Sequence, residues 1–465
     1  MATPATLNDL VFRIREISAG RGELLRISRG GRAISVTATD FLREVHALVV
    51  ALEDAGLVSG ERVAIYSENR PEWHVVDLAC QLLGASTVPV YARLPPEKVA
   101  FVLRNSGARW VFYSDAEKRD VLRGLWSGLT RPPTGVAFDG DAAFDDGTSI
   151  TRMIGDGARR LGDVPLERFR GRVEGDAIAS IAYTGRGGEP RGAMLSHRNM
   201  MSTCLGCAET LPITPDDQVV SFLPLSQVLQ RTLDHVCFFR GARIHHVPDG
   251  RDLSAALTRD RPTVLVAPAT VFEAVHRRTL AEIEGYRPRH RRLANWALNV
   301  GERYATTSRE GFIGPFLAIQ RWLAHRLVFR RIHEALGGRL RFAVAGGATV
   351  SSDAARFFDA IGLPVYEGYS LTEATSAVTF NTSEQHRIGS LGKPLPNVEV
   401  RITEDGEIQV RSPGVMSGYW QQPEATAAAI DETGWLHTGD IGRLDRAGYL
   451  YLADSPASES PKESE

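Results

Sequence analysis

Residues 61–91 read ERVAIYSENRPEWHVVDLACQLLGASTVPVY, and this stretch decides the class of the fold. Its first part has the continuous apolar run of a buried strand, followed by a polar turn. Residues 71–85 then place apolar side chains at helical spacing, with Pro71 at the helix start, where proline is favoured. Residues 86–91 return as a strand. The stretch is predicted to form one βαβ unit, and such units build parallel sheets.

The same alternation of short β-rich runs and longer helical patterns continues on both sides of this unit, to about residue 370. Beyond about residue 390, short alternating segments separated by glycine and proline predict a small β subdomain. The predicted class is α/β, with two doubly wound α/β subdomains followed by that β subdomain. The predicted units are residues 1–175 including a variable connection, 176–388, 389–454, and a disordered, serine-rich tail at 455–465.

Composition narrows the function before any motif is considered. The 465 residues carry 54 Lys and Arg against 56 Asp and Glu, a net charge of −2, which argues against nucleic acid as a partner. No apolar run reaches the ~20 residues that span a bilayer, so no transmembrane segment is expected. The N-terminus lacks the apolar core of a secretory signal, and four cysteines are too few for a disulfide framework. These features predict a cytoplasmic protein.

A glycine-rich turn lies in YTGRGGEPRGAMLSHRN, residues 183–199. It is predicted to join a strand to a helix that begins near Ser196, so that backbone amides and the helix start could cradle phosphate groups. No Gly-Lys-Ser/Thr follows, so it is not a Walker loop. The alternative is a tight connection with solvent-facing charges. The candidate residues are Thr184, Gly185, Gly187, Gly188 and the basic Arg191.

Two further motifs offer oxygen ligands. In VYEGYSLTEA, residues 365–374, the hydroxyl of Thr372 stands beside the carboxylate of Glu373, a pair suited to a phosphate oxygen and Mg²⁺. In GWLHTGDIG, residues 434–442, Asp440 could accept hydrogen bonds from a sugar diol. Each motif taken alone is also explained as an ordinary polar turn.

The order of the motifs is more informative than any single one. After the glycine-rich turn come SFLPLSQV (221–228), AVAGGA (343–348), EGYSLTEA (367–374), GSLGKPLPNVEV (389–400), GEIQVRSPGVMSGYW (406–420) and WLHTGD (435–440). Together they resemble the adenylate-forming, or AMP-binding, superfamily over nearly the whole chain. Three other segments look most like its long-chain fatty acyl-CoA synthetase branch: LTRDRPTVLVAPATVFEAV (257–275), WALNVG (296–301) and LVFRRIHEALGGRLRF (327–342).

The resemblance implies a fold, a reaction and roles for individual residues. The fold would be the large N-terminal domain of these enzymes. The reaction would join a long-chain fatty acid to AMP from ATP and then to coenzyme A, with Mg²⁺ assisting. Thr372, Glu373 and Arg191 would be catalytic, and Glu373 would hold the metal. Nucleotide contacts would come from the glycine-rich turn and from Gly346, Gly347, Ala348, Tyr369 on adenine, Thr372 on the α-phosphate and Asp440 on the ribose.

The chain also departs from the family pattern. The glycine-rich turn is one residue shorter, keeps few hydroxyls and has Arg191 in place of lysine, which predicts reduced activity. Gln227 and Gln230 replace the usual histidine and glutamate, while Arg231 remains. The sequence carries no counterpart of the mobile C-terminal domain, so a partner could be needed to supply it.

Alternatives to a long-chain fatty acid–CoA ligase stay open. The chain could be a non-catalytic acyl- or nucleotide-binding protein derived from this fold, or a luciferase-like oxidase that shares the motifs. The basic run Arg287–Arg292 could meet a membrane surface peripherally or bind the phosphates of coenzyme A. A solvated helix face explains the same run.

Overall fold

The computed structural model describes residues 5–453 except 19, 21, 31, 145–146, 186–189 and 348. The helices are α1 (Leu7–Ser18), α2 (Ala38–Asp54), α3 (Pro71–Leu83), α4 (Pro96–Ser106), α5 (Ala116–Trp126), α6 (Ile150–Ala158), α7 (His197–Thr210), α8 (Val228–Arg240), α9 (Leu253–Asp260), α10 (Ala269–Glu284), α11 (Pro288–Glu310), α12 (Pro315–Ala324), α13 (Arg330–Ala335), α14 (Ser352–Ile361) and α15 (Pro423–Ala429). The predicted tail at 455–465 lies outside the described residues.

Three sheets organise these helices. Their strands are β1 (Glu23–Arg29), β2 (Arg32–Thr37), β3 (Arg62–Tyr66), β4 (Ser86–Val90), β5 (Trp110–Tyr113), β6 (Thr134–Ala137), β7 (Ile178–Thr184), β8 (Arg191–Ser196), β9 (Gln218–Ser221), β10 (Arg243–His246), β11 (Val264–Pro268), β12 (Phe342–Gly346), β13 (Val365–Leu371), β14 (Ser376–Phe380), β15 (Lys393–Pro394), β16 (Glu399–Ile402), β17 (Glu407–Arg411), β18 (Gly418–Tyr419), β19 (Leu436–Leu444) and β20 (Leu450–Leu452).

The stretch at 61–91 forms the predicted βαβ unit. Strands β3 and β4 pair in parallel, from Arg62 opposite Ser86 to Tyr66 opposite Val90. Between them α3 begins with Pro71 and is capped after Leu83 by Gly84, whose φ of 74° is the left-handed conformation that glycine adopts readily. This unit lies inside a seven-stranded sheet in the order β18-β8-β7-β4-β3-β5-β6.

The second sheet has nine strands in the order β15-β14-β13-β12-β11-β9-β10-β1-β2. Strands β13 through β1 run parallel, while the pairs at the two edges are antiparallel. Strands β16, β17, β19 and β20 form a separate antiparallel sheet of four. The structure thus contains two α/β sheets and a small β sheet, and the predicted fold class is confirmed.

The sheets do not follow the order of the chain. The seven-stranded sheet takes β7, β8 and β18 from beyond residue 175, and the nine-stranded sheet takes β1 and β2 from residues 23–37. The proposed division at 175 and 388 therefore describes segments of sequence, and each α/β sheet draws strands from both sides of residue 175. None of the helices in the described ranges combines the length and apolar character needed to cross a bilayer.

A buried ion pair joins elements of the two large sheets. The Nε atom of Arg231, on α8, donates to Oδ2 of Asp77, on α3, at 3.0 Å. The same guanidinium donates to Ser180 of β7 at 2.7 Å and to Thr87 of β4 at 2.9 Å. Burial by itself would raise the pKa of Asp77, but Arg231 and His235 overcome that effect, and the pKa lies below its ordinary value. The pair is therefore charged at neutral pH.

Breaking this pair from one side is expected to destabilise the fold strongly. Arg231→Met should lower the free energy of unfolding by roughly 3–5 kcal/mol, because it leaves the buried Asp77 carboxylate without the guanidinium that balances its charge. Adding Asp77→Asn to that variant should recover part of the loss, since no uncompensated charge remains. Urea unfolding of the two variants tests this. A double variant no more stable than Arg231→Met would show that lost packing, and not the unpaired charge, is the cause.

Candidate functional site

A cavity of about 370 Å³ lies at the carboxyl ends of the parallel strands β11, β12 and β13, facing the end of β7 in the other sheet. Ligands of open α/β sheets commonly bind at this edge. Apolar side chains line it together with hydroxyl and amide groups. The lining residues are Ala182, Tyr183, Leu223, Ser226, Gln227, Val228, Leu229, Pro268, Ala269, Thr270, Gly346, Gly347, Ser370, Leu371, Thr372 and Ser376. Three predicted site residues, Gly346, Gly347 and Thr372, are therefore at the cavity wall.

Two other predicted residues contact each other. The hydroxyl of Tyr369 donates a hydrogen bond to Oδ2 of Asp440 at 2.5 Å. Tyr369 is buried at the end of β13, while Asp440 is half-buried in β19 of the small sheet. The residues assigned to adenine and to ribose thus lie side by side, although 71 positions separate them in the chain.

Glu373 and Arg191 meet through a residue that the sequence analysis did not assign. The Tyr419 hydroxyl donates to Oε1 of Glu373 at 3.0 Å, and the Arg191 guanidinium carbon lies 5.4 Å from the centre of the Tyr419 ring. Burial, reinforced by the negative Glu373, raises the pKa of Tyr419 to about 12. The phenol therefore keeps its proton and remains a donor. The motif at 406–420 contained Tyr419, but nothing local in it indicated a contact with Glu373.

The glycine-rich turn does not join a strand to a helix, so that part of the prediction is wrong. Thr184 and Arg191 face each other as the last pair of an antiparallel hairpin, β7 and β8. Helix α7 begins only after β8, with Ser196 and Asn199 forming its capping box. The helix start is therefore one strand away from the turn, beyond the short range over which a helix dipole acts. Of the remaining candidates, Gly185 is exposed, while Gly187, Gly188 and Ala348 lie outside the described residues.

The cavity continues toward an apolar interior behind Leu229. A smaller pocket of about 20 Å³ shares Leu229 and Ser376 with the main cavity. Its other walls are mostly apolar: Cys207, Leu211, Thr232, Leu233, Val236, Val266, Val344, Ala377 and Phe380. A Cβ placed on Gly346 would lie 2.7 Å from Leu229 Cδ2, so glycine is needed for the present packing. Leu229 thus lies between the main cavity, which also carries hydroxyl and amide groups, and the smaller apolar pocket.

Gln227 and Gln230, which replace the histidine and glutamate of the family pattern, both have a place in the structure. Gln230 is buried, accepts from the Leu223 amide at 3.2 Å and donates to Asp234 at 2.8 Å. Gln227 lines the cavity at the start of α8. Gln230 therefore stabilises the loop that forms one cavity wall, while Gln227 faces the cavity.

Glu367 is a second residue that the sequence analysis missed. It is fully buried in β13 and accepts hydrogen bonds from the amides of Val350 at 2.9 Å and Gly389 at 3.2 Å. Burial raises its pKa to about 7, and the two amides only partly offset this. The carboxyl thus holds the segments that follow β12 and precede β15. No local pattern distinguishes it from an exposed glutamate.

One further cluster of buried side chains has the composition of a metal site. His74, Asp234 and His246 are buried, and one ligand atom from each lies within 4.8 Å of the others. Nε2 of His74 contacts Asp234 at 3.0 Å. Burial lowers the pKa of His246 to about 3, so its imidazole is neutral. This group belongs to the packing between α3, α8 and β10, apart from the cavity lining.

With the geometry described, comparison with known proteins identifies the family. Residues 19–420 match the AMP-binding enzyme family. The chain belongs to that family. The matched range contains all the described cavity-lining residues and ends just after Tyr419.

The relatives of this family member include fatty-acid–CoA ligases. Long-chain-fatty-acid–CoA ligase FadD15 of Mycobacterium bovis is 31% identical over 423 residues, covering 90% of this chain and 69% of that protein. Human long-chain-fatty-acid–CoA ligase 1 is 28% identical, covering 84% of this chain and 58% of its own length. The chain thus spans about three-fifths to two-thirds of these relatives.

Solved structures share the fold. The N-terminal domain of FACL13 from Mycobacterium tuberculosis superposes with a TM-score of 0.72 at 21% identity, covering 97% of this chain and 100% of that one. ATP-bound MatB from Rhodopseudomonas palustris gives a TM-score of 0.72 at 22% identity, and the match covers 96% of this chain and 78% of MatB. The predicted relation to the N-terminal domain of adenylate-forming enzymes is confirmed for the fold.

The raised pKa of Glu367 predicts a pH dependence of stability. A carboxyl with a folded pKa of about 7 and an ordinary value of 4.5 binds more protons in the folded state. Its contribution to the free energy of unfolding therefore falls as pH rises from 4.5 to about 7, by roughly 3 kcal/mol in all. Glu367→Gln removes this titration, so its stability relative to the parent should increase over the same range.

Urea unfolding of both proteins at about pH 5 and about pH 8 measures the difference. Glu432→Gln, at an exposed position, is the matched control and should show no such trend. A stability difference for Glu367→Gln that does not change with pH would contradict the assignment.

Proposed function

We propose that the chain binds ATP and a long-chain fatty acid in the cavity between the two large sheets and forms an acyl-adenylate. The carboxylate oxygen of the fatty acid bonds to the α-phosphorus of ATP as the bond to the pyrophosphate oxygen breaks. The coenzyme A thiolate then bonds to the acyl carbon, and AMP leaves. The protein makes no covalent bond in either step, so its contribution is positioning and stabilisation of charge.

One observation carries the proposal. Residues from distant motifs converge where parallel strands end: Thr372 and Gly346 at the cavity wall, with Asp440 and Glu373 linked to neighbouring residues by tyrosine hydroxyls. A packing role alone does not require hydroxyl and carboxylate groups at this edge. We assign the nucleotide to this end of the cavity, with Tyr369 against the base and Asp440 against the ribose.

Glu373 suits a divalent cation. Its Oε1 accepts from Tyr419, and within the described ranges nothing donates a hydrogen bond to Oε2. A carboxylate oxygen next to the Thr372 hydroxyl is a hard donor set of the kind that Mg²⁺ prefers. The bound ion would neutralise phosphate charge. Arg191, exposed beside Tyr419, adds a positive group on the same side.

The apolar side of the cavity suits the acyl chain. From Thr372 the wall passes Ser376 to Leu229, behind which lies the apolar pocket of about 20 Å³. A fatty acid could therefore direct its carboxylate toward the nucleotide and its methylene groups toward Leu229. This apolar pocket is the feature that favours a fatty acid over a polar carboxylate substrate.

Fatty-acid-dependent release of pyrophosphate from ATP, measured with and without coenzyme A, tests the proposal. Release without thioester would identify adenylation alone, and thioester formation would support the complete ligase. Binding of ATP or fatty acid with no release would instead support the alternative, a non-catalytic protein derived from this fold. The shortened glycine-rich turn is the feature that favours that alternative.

Glu373→Gln is expected to reduce Mg²⁺-dependent pyrophosphate release by roughly 100-fold or more, because a neutral amide is a weak ligand for a cation that stabilises phosphate charge. The amide oxygen can still accept from Tyr419, so the melting temperature should stay close to that of the parent. Glu432→Gln serves again as the exposed control. Release at the parental rate from Glu373→Gln would remove Glu373 from the metal site.

Two substitutions at the apolar wall should act in opposite directions. Leu229→Ala should open the main cavity into the smaller apolar pocket and shift the optimum of pyrophosphate release toward longer acyl chains. Gly346→Ala forces Leu229 to move, since the two carbons would otherwise lie 2.7 Å apart, and should shift the optimum toward shorter chains. The partly buried Leu161, remote from the cavity lining, provides the control Leu161→Ala. Parallel shifts in both variants would contradict the assignment.

A further inference from the structure

The exposed apolar side chains of this protein are concentrated in one segment. Ten large hydrophobic residues are exposed in the described ranges, and five of them lie between residues 312 and 327. They are Phe312 (86% exposed), Phe316 (71%), Ile319 (59%), Trp322 (58%) and Leu327 (52%). The other five are scattered along the chain. Single exposed apolar residues are ordinary, whereas a cluster of this kind marks a binding surface.

Three of the five residues lie on one side of a helix, and the other two flank it. Phe316, Ile319 and Trp322 succeed one another at three-residue intervals on α12, a spacing that keeps side chains on one face. Phe312 precedes this helix, and Leu327 lies in the π-helical turn His325–Phe329 that follows it. The opposite side of α12 packs against α11, with Ala324 buried. We call these five residues the α12 apolar face.

Positive charge is concentrated in the part of the sequence that carries this face. Residues 287–335 contain ten arginines and three glutamates, without lysine or aspartate, in a chain whose net charge is −2. The guanidinium of Arg326 lies 5.5 Å from the centre of the Trp322 ring. Arg330 and Arg331 are exposed beyond Leu327, and Arg330 forms a solvent-exposed ion pair with Glu334 at 3.4 Å. The basic run Arg287–Arg292 is exposed at the start of α11.

Charge decides between the candidate partners. In a symmetric dimer the same surface meets itself, so two strongly positive patches would be brought together. An anionic bilayer instead offers phosphates to the arginines and an acyl boundary to the aromatic and aliphatic side chains. The ten residues of α12 extend for ~15 Å, which is sufficient to lie along a bilayer and too short to cross it.

We propose that the α12 apolar face and its flanking arginines dock this protein on an anionic lipid bilayer. Trp322 and Phe316 enter the boundary between head groups and acyl chains, and Arg326, Arg330 and Arg331 contact lipid phosphates. This inference goes beyond the proposed function, because it concerns a surface outside the cavity and holds whether or not the cavity is catalytic.

Flotation with phosphatidylcholine vesicles, with and without phosphatidylglycerol, tests the docking. The intact chain should float with the anionic vesicles and release as salt is raised. The double variant Phe316→Ser, Trp322→Ser should bind at least about tenfold more weakly, since each buried aromatic side chain contributes substantially. Val58→Ser, which changes another side chain that is 56% exposed, should bind like the parent.

Variants that remove charge test the role of the flanking arginines. Replacing Arg326, Arg330 and Arg331 by Gln should weaken binding to anionic vesicles by roughly 100-fold. The same replacement of the exposed Arg43, Arg104 and Arg159 should have much less effect. Trp322→Phe should retain binding and lose the blue shift of tryptophan emission that vesicles cause in the parent.

All substituted positions are exposed, so equal melting temperatures will show that the variants are folded. Absence of vesicle binding by the parent, or binding that survives the change at Phe316 and Trp322, would overturn the proposal. A concentration-dependent dimer abolished by the same double variant, without vesicle binding, would also overturn it by showing a protein interface. None of these measurements depends on pyrophosphate release, so they succeed or fail separately from the proposed function.

Discussion

The buried ion pair between Arg231 and Asp77 is the contact on which the geometry of the cavity depends. The Arg231 guanidinium comes from α8, packed on the nine-stranded sheet, and its partners come from α3 and from strands of the seven-stranded sheet. An arginine this deeply buried is tolerated only when its charge and hydrogen bonds are matched, so the two sheets must approach in the one arrangement that satisfies it. The same helix begins with the residues that form the cavity wall, including Leu229.

The site built at this junction uses neutral hydroxyls to connect charged groups. Tyr369 joins β13 to Asp440 of the small sheet, and Tyr419 joins Glu373 to the hairpin that carries Arg191. Glu367 accepts hydrogen bonds from two backbone amides of separate segments. Because a carboxyl buried in this way is costly to ionise, its protonation is coupled to the stability of the surrounding loops. The two large sheets thus line the cavity. The small sheet contributes Asp440, which is bonded to Tyr369 beside it.

Local patterns sufficed for much of this architecture. The βαβ unit at 61–91, the helix that follows Ser196 and the presence of a small β sheet beyond residue 390 were predicted correctly, because apolar periodicity and the positions of proline and glycine are properties of neighbouring residues. Strand β19, which contains Asp440, was not predicted as a strand. The hairpin of β7 and β8 was not predicted. A glycine-rich turn followed by AMLS is compatible with either a strand or a helix start, and the pairing with β7 decides between them.

By itself, then, the sequence determined the fold class, the family and the segments that carry the candidate chemistry, since these depend on residue types at short spacing and on motif order. Only the tertiary structure decided which of those segments meet. It paired Glu373 with Tyr419, placed Asp440 against Tyr369, gave Glu367 its two amides and left the α12 apolar face exposed. Each of these outcomes joins positions far apart in the chain or depends on what a helix packs against, and neither property is encoded in local spacing.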